Sequence, residues 1–305
     1  MDYDQKHIER LKIRARIVDA IREFFGVRGY LEVDTPLRVP ALLPEAHILP
    51  VTSEGWFLQS SPEQCMKRMV SAGCERIFQV CKAFRGRERG CRHLPEFTIL
   101  EWYRVGADYM DFMAETAELV RHVAAATGCG SLIPYKGSSI DLGGEWAMLS
   151  VSEAFERYAG VSLESALATG MYDELMGIEI EPRLGHDRPV FLCDYPQKNG
   201  ASFARPKADN PKKVERFELY IAGLELCNGF SELTGSQNYR QRFESENARR
   251  SRAGMGALPT PERFLSDMDR MPETGGNALG VDRLVMLFCG VDDIGDVVAF
   301  LPESL

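Results

Sequence analysis

The stretch from Phe84 to Tyr103, FRGRERGCRHLPEFTILEWY, gathers Arg85, Arg87, Arg89, Arg92 and His93 in one short loop. A guanidinium is a planar fork of donors that fits phosphate or carboxylate oxygens in pairs, so the loop reads as a grip on a polyphosphate. The residues after it alternate. Phe97, Ile99, Glu101 and Tyr103 share one face of a strand, with Leu100 and Trp102 on the other. One face thus offers a stacking ring, a carboxylate and a phenol; the other is apolar and turns to a core. In the strand before the loop, over 76–85, Gln79, Cys81, Ala83 and Arg85 oppose Phe78, Val80 and Phe84. Such two-sided patterning predicts a sheet whose polar face is open to water.

Two more constellations could carry chemistry. Glu218 and Glu225 sit on a strand pair interrupted at Gly223, followed at once by Asn228-Gly229-Phe230-Ser231-Glu232-Leu233. On its own, such a pair reads better as two solvated acids. Further on, Gly275-Gly276-Asn277-Ala278-Leu279-Gly280-Val281-Asp282-Arg283 is a glycine-bearing segment leading into a helix, of the kind that lets backbone approach a ligand closely.

These residues need elements to position them. Leu11, Ile17, Ile21 and Phe24 or Phe25 recur near a 3.6-residue period and predict a helix over 7–25, closed by Gly26 and Gly29, before a short strand at 30–33 that ends at Thr35-Pro36. Ser61-Pro62-Glu63 opens a helix with serine as cap, proline in the first turn and an acid at the positive end of the dipole; Gly73 stops it. A further helix runs from Asp108 to Gly128, and 129–185 reads as mostly helical and peripheral. Strands return at 189–194 and 214–227, and a last strand and helix occupy 275–290. No repeat or low-complexity linker divides the chain, which reads as one domain over 1–305.

Together these segments resemble the class II aminoacyl-tRNA synthetases. The helix, strand and proline over 8–36 resemble motif 1, the segment over 76–105 motif 2 and the segment over 275–290 motif 3; RHLPEFTILEWY and NGFSEL are close to the lysyl branch. The resemblance implies an α+β fold, a largely antiparallel sheet flanked by helices, in a homodimer built on motif 1. It also implies roles. Arg85 bridges the α-phosphate of ATP and the amino-acid carboxylate, His93 contacts phosphate, Phe97 stacks on adenine, and Arg283 stacks on adenine and contacts the γ-phosphate, with Gly280 beside it. Glu218 and Glu225 hold Mg²⁺ against the phosphates, hard oxygen donors whose shell the substrate completes. Asn228 touches ATP and the substrate carboxylate, and Ser61 belongs to the amino-acid site. Glu63 takes the amino group, while Glu101, Tyr103 and Glu232 take the far ammonium of a lysine-like side chain, which could not be buried unpaired.

There are departures. Lysyl enzymes have glutamate two residues after the motif 2 arginine, where this chain has Arg87; a shifted loop would let Glu88 serve. They have glycine where this chain has Ala278, and an anticodon-reading barrel before motif 1, which here begins almost at Met1. A lysyl core with these features resembles the elongation factor P–(R)-β-lysine ligase family. That implies adenylation of a lysine or β-lysine by ATP, then transfer to a lysine of elongation factor P.

Composition sets outer bounds. Hydrophobic residues at 45% and charged residues at 27% are ordinary for a globular protein. There is no run long enough for a membrane span, and Met1-Asp2-Tyr3-Asp4 is no signal peptide, so the expectation is a cytoplasmic protein. Eight cysteines without CxxC or zinc spacing read as reduced thiols. A net charge of −9 argues against tRNA as the main partner, although Arg249-Arg250-Ser251-Arg252 forms a local basic run. Other readings are an enzyme that charges tRNA by its acceptor stem alone, and a non-catalytic synthetase-like subunit. A small-molecule amide synthetase suits Glu101, Tyr103 and Glu232 poorly.

Overall fold

The alternating segments assemble into one eight-stranded sheet in the computed structural model, which describes residues 5–200 and 203–305. Its strands are β1 (Leu31–Glu32), β2 (Arg76–Phe84), β3 (Glu96–Val105), β4 (Ala147–Ser150), β5 (Val190–Cys193), β6 (Arg216–Ile221), β7 (Leu224–Ser231) and β8 (Thr274–Gly280). They lie in the order β1-β2-β3-β8-β7-β6-β5-β4. The inner pairings from β2 to β5 are antiparallel, and the edge pairs β1–β2 and β4–β5 are parallel. With its flanking helices this is the expected α+β, antiparallel-dominated fold.

Helices cover both faces. On one side α1 (Gln5–Gly26), α3 (Tyr109–Thr127) and α6 (Val281–Cys289) bury Ile17, Phe24, Phe25, Phe112, Leu119 and Leu284 against Leu100 and Trp102 of β3. On the other, α4 (Ser236–Arg252) and α5 (Glu262–Met268) bring Tyr239, Phe243, Phe264 and Leu265 into a second core with Ile77, Tyr103 and Phe230. The polar face of β3 is therefore not open to water: Glu101 is 1% exposed and Tyr103 3%. Alternation of polar and apolar residues marks two different faces, and does not say what covers the polar one.

Local signals set several boundaries. Asp108 caps α3 by accepting from the amides of Met110 and Asp111, and Gly128 ends it at φ 82°. The helix after Ser61 is α2 (Glu63–Ser71), with Pro62 at its cap position and Ser61 Oγ accepting from the Glu63 amide at 3.0 Å. The region 129–185 is less helical than the mostly helical expectation. It opens with a hairpin, Leu132–Tyr135 with Ser138–Asp141, turned by Lys136 and Gly137, both at positive φ, and continues into strand β4. Short helical turns follow, from Val151 to Arg183.

One buried ion pair ties the three motif segments together. Arg14 of α1 donates to Asp282 of α6 at 2.5 Å and to Thr98 Oγ1 of β3 at 2.8 Å. Asp282, 2% exposed, also accepts from the Thr98 amide at 2.7 Å. Removing one partner of such a pair strands the other charge in the interior, at a cost of about 3–5 kcal/mol. Arg14→Ala is expected to lower unfolding stability by that order in urea denaturation; a loss below about 1 kcal/mol would show that Asp282 is hydrated and the pair dispensable.

Candidate active site

Register places the chemistry. One row of directly opposed residues crosses the sheet: Gln79, Glu101, Ala278, Asn228 and Glu218, on β2, β3, β8, β7 and β6 in turn. The next row of the same face is Ile77, Tyr103, Gly276, Phe230 and Arg216. Residues from three separate sequence segments thus stand side by side, and two chambers open above them.

The larger is a cavity of about 490 Å³, within the range of small-molecule sites. Arg85, Glu88, His93, Phe97, Glu218, Glu225, Asn228, Ala278, Gly280 and Arg283 all line it. Arg283 donates to the carbonyl of Glu225 at 2.9 Å, lies 3.2 Å from Glu225 Oε2 and 2.5 Å from His93 Nε2. Burial, then the charge of Arg283, lowers the pKa of His93 and favours its neutral ring. The Arg85 guanidinium lies 5.1 Å from the centre of the Phe97 ring.

The arginine loop is only half committed to this cavity. Arg92 lines it and donates to the carbonyl of Gly223 at 2.8 Å, whereas Arg87 is exposed and Arg89 pairs at the surface with Glu303 at 2.5 Å. Arg87 has φ 63°, a left-handed turn that throws its side chain outward. Glu88, 3.9 Å from Arg85, lines the cavity.

Glu218 and Glu225, the acids expected to hold Mg²⁺, face the same cavity. Glu218 accepts from Tyr195 at 2.5 Å and Tyr220 at 2.7 Å, and pairs closely with Arg216. Burial raises its pKa against the pull of Arg216. A third carboxyl, Glu181, is pushed up to about 7 by burial and by the charges of Glu218 and Glu225. Among the described residues no group of three or more His, Cys, Asp or Glu could hold a metal unaided. Two carboxylates with lone pairs to spare, beside an open cavity, nevertheless suit Mg²⁺, which takes one or two protein acids and fills its shell from substrate and water.

The smaller chamber adjoins the first, and Arg85, Asn228 and Ala278 line both. Here Ser61, Glu63, Glu101, Tyr103 and Glu232 meet. Glu101 accepts from Ser61 at 2.5 Å and from Tyr103 at 2.9 Å. Glu232 is 1% exposed, and its Oε1 has no hydrogen-bond partner among the described residues. Gly276 makes room for it, since a Cβ there would sit 2.4 Å from Glu232 Oε1 and 2.6 Å from the Tyr103 ring. Burial pushes the carboxyls of Glu101 and Glu232 each up to about 8.

Three features escaped the sequence reading. Lys67, fully buried in α2, pairs closely with Glu63, lies 2.5 Å from Glu232 Oε2 and donates to Tyr239 at 3.3 Å. Burial alone would lower its pKa, but Glu232 and Glu63 outweigh it and hold the ammonium well above its usual range. Arg216 joins Glu218 to Asn228 Oδ1, to which it donates at 3.0 Å. The basic run at 249–252 is not a surface patch: Arg250, 2% exposed, donates inward to the carbonyls of Glu45 and Ile48, and Arg249 pairs with Glu246. A lysine four residues after Glu63 was the one available signal, and it is also what a solvated helix pair looks like.

Residues 2–304 match the family described as tRNA synthetases class II (D, K and N). A relative in Enterobacter sp. (strain 638), called elongation factor P–(R)-beta-lysine ligase, is 36% identical over 314 aligned positions, covering 97% of this chain and 96% of the relative. Proteins of the same description in Salmonella paratyphi A and Salmonella arizonae are 37% identical over 97% of this chain and 96% of their own length.

A carboxyl held near 8 in the fold, against about 4.3 when unfolded, contributes stability that is complete below the unfolded value and lost as pH rises through 8. An ammonium ligand reverses that loss by binding the charged form. The rise in melting temperature produced by saturating lysine or β-lysine is therefore expected to grow between pH 6 and pH 9; a shift independent of pH would place the ligand's ammonium elsewhere.

Proposed function

The chain belongs to the class II tRNA synthetase family (D, K and N), and from that premise we propose that it uses ATP to activate a lysine-type amino acid, (R)-β-lysine foremost, and transfers it to a lysine ε-amine of elongation factor P. The observation that carries this reading is the pair of chambers meeting at Arg85, one lined for a nucleotide and the other by buried acids suited to a long cation. The whole chain acts as one catalytic unit.

In the first step an oxygen of the amino-acid carboxylate bonds to the α-phosphorus as the bond to pyrophosphate breaks. Arg85 holds both anions in contact and offsets the charge that grows on phosphorus. Arg283, His93 and Glu88 orient the nucleotide, with Phe97 against its base. Glu218 and Glu225 would hold Mg²⁺, which supplies charge neutralisation at the phosphates when bound. Asn228, steadied by Arg216, meets the carboxylate end; Ser61, Glu63, Glu101, Tyr103 and Glu232 hold the ammonium groups. In the second step the acceptor amine bonds to the acyl carbon, the bond to AMP breaks, and the amine proton leaves to solvent. No protein nucleophile is required.

Ala278 bears on the choice of isomer. It stands directly between Glu101 and Asn228 in the cross-sheet row, so its methyl group lies along the path from the carboxylate end to the acid floor. Homodimerisation through motif 1 belongs to the same proposal, and exposed Val27 and Leu31 at that edge, 74% and 56% accessible, support it. We place the protein in the cytoplasm; no helix among the described residues is long and apolar enough to cross a membrane.

The decisive assay incubates the protein with ATP, labelled lysine isomers, and either tRNA or elongation factor P. Label is expected on the protein acceptor; robust label on tRNA alone would favour a truncated tRNA-charging enzyme. Absence of any lysine-dependent ATP–pyrophosphate exchange would favour a non-catalytic subunit. For the isomer, Ala278→Gly is expected to shift the kcat/KM ratio toward α-lysine about tenfold, within the roughly 1–3 kcal/mol that one methyl group can contribute. An unchanged ratio refutes the steric role.

A further inference from the structure

Glu45 is a fourth acid of the amino-acid chamber, and it also lines the nucleotide cavity. Its backbone is held from two sides. Arg250 donates to the carbonyls of Glu45 at 3.0 Å and Ile48 at 2.7 Å, and Glu246 accepts from the Ala46 amide at 2.9 Å. Four residues on, the carbonyl of Leu49 accepts from Gly86 of the arginine loop at 2.7 Å. The segment is thereby anchored to α4 and to the loop that carries Arg85.

The other three acids already have protein partners. Glu101 is engaged by Ser61 and Tyr103, while Glu63 and Glu232 share the ammonium of Lys67. The carboxylate of Glu45 takes part in no hydrogen bond or ion pair with the described residues. Charge nearby acts on it from both directions: burial pushes its carboxyl up to about 7, Arg85 opposes the rise and Glu63 adds to it. Four acids against the Lys67 ammonium and the Arg85 guanidinium leave an excess of negative charge, and with Arg85 taken up by the substrate's carboxylate that excess suits two ammonium groups.

We propose that Glu45, alongside Glu63, receives the ammonium group nearest the substrate's carboxylate, and so helps determine which amino position the site accepts. The inference rests on the functional reading above. Arg85 lines both chambers and would take the carboxylate, which puts that end of the substrate at their junction, where Glu45 also stands. The distal ammonium then lies toward Glu101, Tyr103 and Glu232. An amino group one or two carbons from the carboxylate cannot reach that far end, and buried without a partner it would be strongly disfavoured.

The test compares wild type with Glu45→Gln and Glu45→Asp, using β-lysine, α-lysine and 6-aminohexanoate, which keeps the carboxylate and distal ammonium but lacks the proximal one. ATP–pyrophosphate exchange gives KM for the substrates, and calorimetry gives the affinity of each ligand whether or not it turns over. Glu45→Gln is expected to weaken β-lysine at least tenfold, with Glu45→Asp intermediate, while KM for ATP and the affinity for 6-aminohexanoate stay within about twofold. Equal weakening of all three ligands, or of none, overturns the proposal, as does a matching change in KM for ATP. If wild type binds the lysine isomers without exchanging pyrophosphate, the functional reading fails, and the calorimetric comparison still decides the role of Glu45.

Discussion

Buried negative charge is the constraint around which this structure is organised. Glu101, Glu218 and Glu232 lie on a sheet face that helices and loops cover, and each is under 10% exposed. A lone carboxylate in such a place would take up a proton or unfold its surroundings. Several neighbouring elements supply a remedy. The α2 segment brings Ser61 and Lys67, β3 brings Tyr103, β6 brings Arg216 and Tyr220, and the segment after β5 brings Tyr195. The remedies are incomplete, since the carboxyls of Glu101 and Glu232 still sit near 8 and Glu232 Oε1 lacks a partner. That residue of unsatisfied charge is what a cationic substrate can answer.

The same logic explains the position of the covering layer. Lys67 contacts acids from its own helix and from the end of β7, and its ammonium lies 5.3–5.6 Å from the ring centres of Phe203, Phe230 and Tyr239. Ring faces stabilise a buried cation while excluding water, so the lysine is held by both charge and packing. The outer side of α2 is clamped to α5 by Arg68 and Asp267 at 2.6 Å. Across the sheet, Arg14 and Asp282 connect α1 to the larger cavity, which Asp282 also lines. Displacement of α1 therefore bears directly on the cavity.

How much of this was legible in the chain depended on the range of the interaction involved. The caps of α3, the two faces of β3 and the glycine-bearing β8 follow from local pattern, and the structure bears them out. The candidate residues carried by contiguous motif strings could be named one by one from the resemblance, whereas Lys67, Arg216 and Glu45 lie outside those strings and could not. The juxtaposition of the motif residues could not be read, since it depends on strand order and register: Glu101, Ala278, Asn228 and Glu218 become neighbours only when β8 inserts between β3 and β7. Lys67 was missed and Arg250 misread for a related reason. A charged side chain on a helix looks solvated unless the acid or carbonyl it meets, here Glu232 or Ile48, is known to be there. The hairpin at 132–141 was missed because Lys136-Gly137 is a weaker turn signal than Asn-Gly.

Electrostatics and shape then divide the work of recognition. α-Lysine and β-lysine carry the same charges, so an acid floor that captures the distal ammonium cannot separate them. Discrimination has to act near the carboxylate, where the isomers differ by one carbon in the placement of the amino group. Two chain features converge there. Ala278 adds a methyl group between Glu101 and Asn228, which takes up space, and Glu45 adds a carboxylate beside Arg85, which favours charge at a particular place. In the proposed roles one would exclude and the other attract, and a preference built from both would be larger than a single methyl group can give. The arginine loop joins them: Gly86 ties it to the segment bearing Glu45, and after the left-handed turn at Arg87 the loop brings Glu88 to the larger cavity. On the proposed reading, the loop that would grip the nucleotide is thus also tied to the segment from which the amino position would be measured.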